Sequence, residues 1–203
     1  ITFADTLNGA EALTLSAGTG AIDLQGAVGG NTDLTSLTVA SGGTLNLPSV
    51  TTTGAQSYLV TGTLTLGGNL TTSGGDLTLS SATTLSEGAR TLSTGTGGGT
   101  ITFADTLNGA EALTLSAGTG AIDLQGAVGG NTDLTSLTVA SGGTLNLPSV
   151  TTTGAQSYSV TGNLTLGGDL TTAGGDLTLS SATTLSGGAR TLSTGTGGGA
   201  ITF

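Results

Sequence analysis

The feature that most limits the possible folds of this chain is a tandem repeat of one hundred residues. Residues 1–100 and 101–200 align without a gap and differ at six positions. Residues 201–203 repeat residues 1–3, so a third copy has just begun and we expect the sequence to be a piece of something longer. The apolar pattern runs through residue 100 without a linker. We therefore expect residues 1–203 to form one continuous segment with two sequence repeats, 1–100 and 101–200.

A shorter pattern lies within each copy. Apolar and polar residues alternate in triplets such as Ile22-Asp23-Leu24 and Leu64-Thr65-Leu66. This period of two is typical of a β-strand whose middle residue points away from the core. Clusters of Gly, Asn, Asp and Ser separate the triplets and are typical of turns. No segment has the apolar spacing of an amphipathic helix, so the pattern predicts an all-β chain.

The triplets recur at nearly regular intervals that favour stacked coils. Strand starts lie at Ile1, Ile22, Leu45, Leu64 and near Leu85, and a last, shorter interval leads to Ile101. A lone apolar residue lies between the triplets of a coil, at Leu7, Val28, Val50 and Leu70. This layout predicts a parallel β-helix, or β-solenoid, with about 20 residues per coil and about five coils per copy. The coil from Leu85 to Gly99 fits the pattern least well.

The six differences between the copies agree with this interpretation. Leu59 lies between Tyr58 and Val60, so we expect its side chain to point outward, where the serine of the second copy is equally compatible with the fold. Tyr58 and Tyr158 are expected in the core. The other five pairs fall at predicted turns or strand-flanking positions: Thr63/Asn163, Asn69/Asp169, Ser73/Ala173, Glu87/Gly187 and Thr100/Ala200.

The charge of the chain excludes several classes of function. Twelve acidic residues and two arginines give a formal net charge of -10. A nucleic-acid-binding protein needs basic side chains against the phosphates, so we expect no nucleic-acid partner. Anionic membranes would repel the same surface. No apolar run approaches the length that a membrane-spanning helix needs, and we expect no membrane insertion by this segment.

Residues suited to catalysis are few. The sequence has no His, Cys or Lys, and its only basic residues are Arg90 and Arg190. The acids are scattered along the coils, as in the first copy at Asp5, Glu11, Asp23, Asp33 and Asp76. Gly74-Gly75-Asp76 is only a fragment of a glycine-rich calcium motif, and we interpret Asp76 as a turn aspartate. We therefore predict no enzyme, and no catalytic, cofactor-binding or metal-binding residue.

Threonine offers a different possibility. Thr14, Thr38 and Thr78 are outward residues of their triplets, and we expect them to form one column. Regular threonine arrays on flat β-helix faces can bind ice, which makes ice binding a minor alternative function. Leu59 and Ser159 are expected to interrupt the column. The frequency of threonine also has a purely structural explanation, because a β-branched and polar residue suits an exposed strand position.

Several phrases of the sequence resemble a known family. ALTLSAGTGAIDLQGAVGG (residues 12–30), LTLGGNLTT (64–72) and above all GAQSY (54–58 and 154–158) are similar to the repeats of filamentous-haemagglutinin-like giant bacterial surface adhesins. The resemblance covers essentially the whole chain. It implies a right-handed parallel β-helix, secretion across the outer membrane, and a long stalk or fibre at the bacterial cell surface.

Together these observations predict a structural segment of an extracellular fibre or surface stalk. The alternative is an adhesin whose outward faces bind a cell-surface, matrix or carbohydrate ligand directly. Because no charged or proline-bearing cap is evident, we also expect self-association into fibres, end to end or side by side.

Overall fold

The structure is a computed structural model that describes residues 1–203, except for the side chains of Ser41 and Ser141. It contains 26 short β-strands and, within the described part of the chain, no helix. The strands of the first copy are β1 (Thr2–Phe3), β2 (Ala12–Ser16), β3 (Ile22–Leu24), β4 (Ser36–Ser41), β5 (Leu45–Leu47), β6 (Val50–Thr52), β7 (Gln56–Tyr58), β8 (Leu64–Leu66), β9 (Leu70–Thr72), β10 (Leu77–Leu79), β11 (Thr83–Leu85) and β12 (Arg90–Ser93). Those that follow are β13 (Ile101–Phe103), β14 (Leu107–Asn108), β15 (Ala112–Ser116), β16 (Ile122–Leu124), β17 (Ser136–Ser141), β18 (Leu145–Leu147), β19 (Val150–Thr152), β20 (Gln156–Tyr158), β21 (Leu164–Leu166), β22 (Leu170–Thr172), β23 (Leu177–Leu179), β24 (Thr183–Leu185), β25 (Leu192–Ser193) and β26 (Ile201–Thr202).

The strands pair in parallel and build a solenoid with three faces. The first face has the order β1-β3-β5-β8-β11-β14 and continues through a bridge at Val128 to β19-β22-β25. The second face is β2-β4-β7-β10-β13-β16-β18-β21-β24. The third face begins with bridges at Leu7 and Val28 and continues β6-β9-β12-β15-β17-β20-β23-β26. The chain is a parallel β-solenoid of about nine turns of roughly 21 residues, which confirms the predicted fold class.

Alternation within the triplets produces the core. In β5, Leu45 and Leu47 are buried and Asn46 is exposed. In most other strands of three residues the two outer residues are buried and the middle one is half-buried. The predicted lone positions are also confirmed, because Leu7, Val28, Val50 and Leu70 pair in that order on the third face. Each turn thus places apolar side chains directly above those of the turn below, and one apolar core runs along the axis.

The sequence repeat and the turn of the solenoid are out of phase. One copy holds twelve strands and isolated bridges at Leu7, Val28 and Leu34. Val28 and Leu34 both pair with β6 and so share one place, which gives fourteen places. At three places per turn, fourteen places are four turns and two-thirds of another. Residues of the second copy therefore lie on a different face from their equivalents in the first. Thr2 pairs with Asp23 on the first face, whereas Thr102 pairs with Thr78 and Asp123 on the second.

This phase explains why the coil before residue 101 fits the sequence pattern poorly. The strand expected near Leu85 begins at Thr83, which pairs with Leu64. The next strand on that face is not at Ile101 but at Leu107, which pairs with Thr83. Ile101 instead pairs with Leu77 on the second face. The shorter interval before Ile101 is therefore not a short coil.

The sheets run through the boundary between the copies. β10 pairs with β13, β11 with β14 and β12 with β15, so each face carries strands of both copies in direct contact. Leu92 and Leu115 are in register across the boundary, and both are fully buried. We call these contacts between residues 77–103 and residues 101–124 the internal joint.

Candidate functional site

The acidic side chains noted in the sequence are spread along the solenoid, and each described contact ties one of them to neighbouring backbone or amide groups. Asp5 accepts a hydrogen bond from the backbone N–H of Thr6 at 2.7 Å. Asp76 follows a bend and accepts one from the backbone N–H of Thr100, in the coil above, at 2.8 Å. Within the described residues no group of three or more His, Cys, Asp or Glu side chains is close enough to hold a metal ion.

Among these acids, Asp23 accepts hydrogen bonds from two other side chains. The Gln25 side-chain amide donates to one carboxylate oxygen at 2.8 Å, and the Asn46 amide of the next coil donates to the other at 3.0 Å. These hydrogen bonds, that of Gln25 first, hold the pKa of Asp23 below its ordinary value. The second copy repeats both contacts around Asp123. The group is a side-chain ladder between coils on the outer surface.

Arg90 does not join these acids. Its Nε and Nη2 atoms donate to the backbone carbonyl of Ser86 at 2.9 and 2.7 Å, so the guanidinium closes its own loop. Within that loop Glu87 has a positive φ of 65°, which glycine adopts more readily, and the second copy has Gly187 there. Both the positive φ of Glu87 and the glycine at the equivalent position of the second copy indicate that this loop is an outward corner.

The predicted threonine column is present, with one correction. Thr14 pairs with Thr38, and Ser57 lies between Thr38 and Thr78. The prediction that Leu59 and Ser159 interrupt the column is wrong, because β7 is Gln56–Tyr58 and β20 is Gln156–Tyr158, so both residues lie just after their strands. Leu59 follows the strand with 50% of its surface exposed, as its outward assignment requires.

The full column on the second face changes its chemistry in the second copy. It is one residue wide and runs Thr14, Thr38, Ser57, Thr78, Thr102, Asp123, Asn146, Thr165, Thr184. The hydroxyl groups of the column are interrupted by the carboxylate of Asp123 and the amide of Asn146. The threonines equivalent to Thr14 and Thr38 are Thr114 and Thr138, and they lie on the third face.

A shallow groove of about 630 Å³ follows the corner where the first face ends. Its walls come from β3, β5 and β8 and from the residues that follow β3, β5, β8 and β11, and they include Gln25, Asn46, Pro48, Ser49 and Glu87. Amide, hydroxyl and carboxylate groups could donate and accept hydrogen bonds with an extended polar ligand there. Because Gly187 replaces Glu87, the second copy does not reproduce the acidic edge of this groove.

The core contains a polar network that was not predicted from the sequence. Gln56 is buried, and its side-chain N–H donates to the Thr71 carbonyl of the next coil at 2.8 Å. The Tyr58 hydroxyl donates to Gln56 Oε1 at 2.9 Å. Gln156, Thr171 and Tyr158 repeat the same bonds. The conspicuous GAQSY phrase was the available signal, since a glutamine two residues before a core tyrosine points to the same side of a strand.

This network connects neighbouring coils in a defined stacking register. Buried polar groups are costly unless their hydrogen bonds are made, so a slipped coil would leave the amide of Gln56 without partners. The apolar residues around it are mostly leucine and valine and would tolerate a slip more easily. The network therefore favours one stacking register over its alternatives.

Burial also predicts a response to alkaline pH. The apolar surroundings raise the pKa of Tyr58 well above 10.0, and they raise that of Tyr158 in the same way. The unfolded chain then loses these protons first, so stability is complete below about pH 10 and falls above it, by about 1.4 kcal/mol per pH unit for each tyrosine.

Tyrosinate absorbance checks this prediction, because the chain has only two tyrosines. We expect the absorbance to rise together with unfolding rather than near pH 10. The double variant Tyr58→Phe/Tyr158→Phe, measured by circular dichroism, should lose this additional alkaline sensitivity. Ionisation near pH 10 in a chain that is still folded would contradict the burial of the two side chains.

No helix within the described residues is long and apolar enough to cross a bilayer. No protein family matches the chain, and no curated protein or solved structure matches it either. Function is therefore inferred from the geometry of the solenoid and from its internal repeat.

Proposed function

We propose that this chain is a structural segment of an extracellular bacterial fibre or surface stalk, of the filamentous-haemagglutinin-like kind that its sequence resembles. The observation that carries the proposal is the continuity of the three parallel sheets and of the apolar core through the boundary between copies. Each copy adds length without a hinge. Nine turns at about 4.8 Å per turn give a rod of roughly 43 Å.

The surface of the rod suits a spacer. Its outward columns are built mainly from Thr, Ser, Asn and Asp, and the formal net charge is -10. Like-charged rods repel one another, which favours solubility and discourages lateral clustering. The apolar side chains are directed almost entirely into the core, so the rod offers few places at which a globular partner would bury apolar surface.

The phase of the repeat favours a spacer over a one-sided binding array. A flat array needs equivalent side chains on one face, which an integral number of turns per copy would supply. Here a copy advances four and two-thirds turns, so Thr14 and Thr114 lie on different faces. This argument weighs against the threonine array as an ice-binding surface as well as against a repeated ligand site on one side.

The direct adhesin is the second candidate, and the groove beside Asn46 and Glu87 favours it. Binding of labelled protein to host or neighbouring cells separates the two candidates. A spacer should give no saturable binding. The variant Glu87→Gly gives the first copy the residue of the second at the edge of the groove, and Leu59→Ser, the same kind of exchange at an exposed position outside the groove, is the matched control.

Small-angle scattering of the same samples should give a rod of roughly 43 Å for the parent chain and for the variant. Saturable binding by the parent that the variant Glu87→Gly loses and the control Leu59→Ser keeps would overturn the spacer and assign the ligand site to the groove. A compact particle or a flexible chain would overturn the rod itself.

A further inference from the structure

The groove at the corner of the first face is rich in hydrogen-bond acceptors. Asp23 and Glu87 each contribute a carboxylate, and none of the described residues that line the groove is basic. The amides of Gln25 and Asn46 direct their N–H groups to Asp23, which leaves their carbonyl oxygens to accept hydrogen bonds from a ligand. A ligand that fits this groove therefore has to supply donors and positive charge.

The carboxylate of Asp23 is oriented but can accept further hydrogen bonds. Its two oxygens offer about four acceptor positions, of which the amides of Gln25 and Asn46 fill one on each oxygen. Because these two side chains hold the carboxylate from its own coil and from the next, it loses little freedom when a ligand binds. Asp23 is therefore a prepared partner for one cationic group.

Glu87 supplies the second charge, at the other end of the groove. Its φ of 65° is the only positive value among the described residues other than glycine, and such strain is concentrated at functional sites. Glu87 Oε2 lies 3.3 Å from the place that a Cβ atom would take on Gly67, so the carboxylate bends back over the coil below. The strained backbone thus holds a charged group against the groove, where the second copy has Gly187.

The spacing of the two charges defines the shape of the ligand. β3, which holds Asp23, and β11, which precedes Glu87, are three coils apart through β5 and β8. Because Glu87 bends back toward the coil below, the charges are two to three coil spacings apart, roughly 10–14 Å. Residues i and i+4 of an extended peptide point to the same side and are about 13 Å apart.

We propose that the groove binds an extended peptide segment of a partner protein that carries Lys or Arg at two positions four residues apart. One basic side chain pairs with Asp23 and the other with Glu87, while peptide N–H groups donate to the carbonyl and hydroxyl oxygens between them. A second copy of this chain does not fit, because its only basic residues, Arg90 and Arg190, are one hundred residues apart.

This inference gives the groove of the second candidate function a class of ligand, and it rests on that candidate. The formal net charge of -10 steers a basic partner toward the rod. The second copy keeps Asp123 at the equivalent corner but lacks the second carboxylate, so the two equivalent corners offer one site rather than two.

Calorimetric titration of the whole chain with two synthetic peptides tests the proposal. The first peptide has two lysines four residues apart in a sequence of Gly, Ser and Thr, and the second has the same composition with the lysines adjacent. We expect the first peptide to bind at one site per chain, about fivefold more tightly than the second, because only the first reaches both carboxylates. Its affinity should fall as added salt screens the charges.

A matched pair of variants locates the site. Glu87→Gln removes one charge and keeps the size of the side chain, and it should weaken binding of the first peptide about fivefold and abolish its advantage over the second. Glu11→Gln makes the same exchange at an exposed residue outside the groove and should bind like the parent. Circular dichroism establishes that both variants are folded.

The proposal fails if the first peptide does not bind at low salt, or if the two peptides bind equally. It also fails if the two glutamine variants bind alike, since the peptide would then respond only to the overall charge.

The cell-binding experiment separates this failure from failure of the adhesin itself. Cells that bind the parent but not Glu87→Gly, together with a peptide that does not bind, would keep the adhesin and reject the basic ligand. Peptide binding that depends on Glu87, without binding to cells, would support the ligand class and count against the adhesin on those cells.

Discussion

Leu115→Asp is expected to disrupt the solenoid in its middle coils. Leu115 is fully buried in β15, and its neighbours in the stack are Leu92 below and Val139 above. A carboxylate there would have no hydrogen-bond donor or cation among these apolar side chains. The cost of an unpaired buried charge is about 4 kcal/mol or more, a large part of the roughly 5–15 kcal/mol that holds a typical domain together.

Thr114→Asp is the matched control, because it places the same side chain one residue away on the outer side of the same strand. Thr114 lies between Thr91 and Thr138 in an outward column. The equivalent position of another coil already carries an aspartate, Asp123. We expect the control to change the free energy of unfolding by no more than about 0.5 kcal/mol. Urea unfolding followed by circular dichroism measures both.

The destabilisation by Leu115→Asp should depend on pH. Desolvation in the core raises the pKa of the introduced carboxyl above the unfolded value of about 3.9. The stability of this variant is then greatest below about pH 4 and is lost as the pH rises through the folded pKa. The difference from the parent should shrink in acid and widen at neutral pH. Equal tolerance of the two aspartates at neutral pH would contradict the inward direction of Leu115.

The sequence predicted the β-solenoid because every inward place of a stacked coil demands the same kind of side chain. Leu7, Val28 and Val50 could be recognised as lone core residues, since no partner in the chain other than a stacked coil explains their spacing. The outward direction of Leu59 was also correct, although the strand beside it ends at Tyr58. Periodicity alone therefore identified the core and the coil length.

The phase of the repeat could not be predicted in the same way. The phase depends on which strand stacks on which. Because the corners between strands differ in length, counting residues along the sequence does not show which strands are stacked. β12 contains Arg90 and has a weak apolar alternation, so the strand between Thr83 and Ile101 was not recognised. Placing Ile101 on the second rather than the first face required the pairing with Leu77.

The candidate site, too, could be predicted from the sequence only in part. That the acids are scattered is visible in the sequence, because they occur singly and far apart. The groove beside Asn46 and Glu87 is not visible, because four corners of successive coils build it. Gln56 was missed for a similar reason, since its polarity suggests an outward residue until the Thr71 carbonyl of the next coil is placed beside it.

Glycine at the corners is the other requirement of stacking, and Gly68→Ala is expected to be severely destabilising. A Cβ atom at Gly68 would lie 1.9 Å from the Ser49 backbone nitrogen and 2.2 Å from the Pro48 carbonyl carbon. These are backbone atoms of the coil below, so no side-chain rotation relieves the overlap. The same approach recurs at Gly168 in the second copy.

The corners cannot separate to make room without losing the bonds that hold them. The Gly67 N–H donates to the Leu47 carbonyl at 2.8 Å, and the Asn69 N–H donates to the Ser49 hydroxyl at 3.2 Å. Overpacking in a deformable core costs about 1–3 kcal/mol. Because rigid backbone replaces deformable side chains here, we expect Gly68→Ala to lower the free energy of unfolding by about 3 kcal/mol or more.

Gly30→Ala is the control, since it adds the same methyl group at a corner with room for it. The nearest atom to a Cβ at Gly30 is the Ala27 Cβ at 3.5 Å, an ordinary van der Waals distance. Chemical unfolding of the two variants beside the parent should leave Gly30→Ala within about 1 kcal/mol of the parent while Gly68→Ala falls far below it. Comparable stabilities for the two variants would mean that the coils are not stacked as closely at Pro48 and Ser49 as the rod requires.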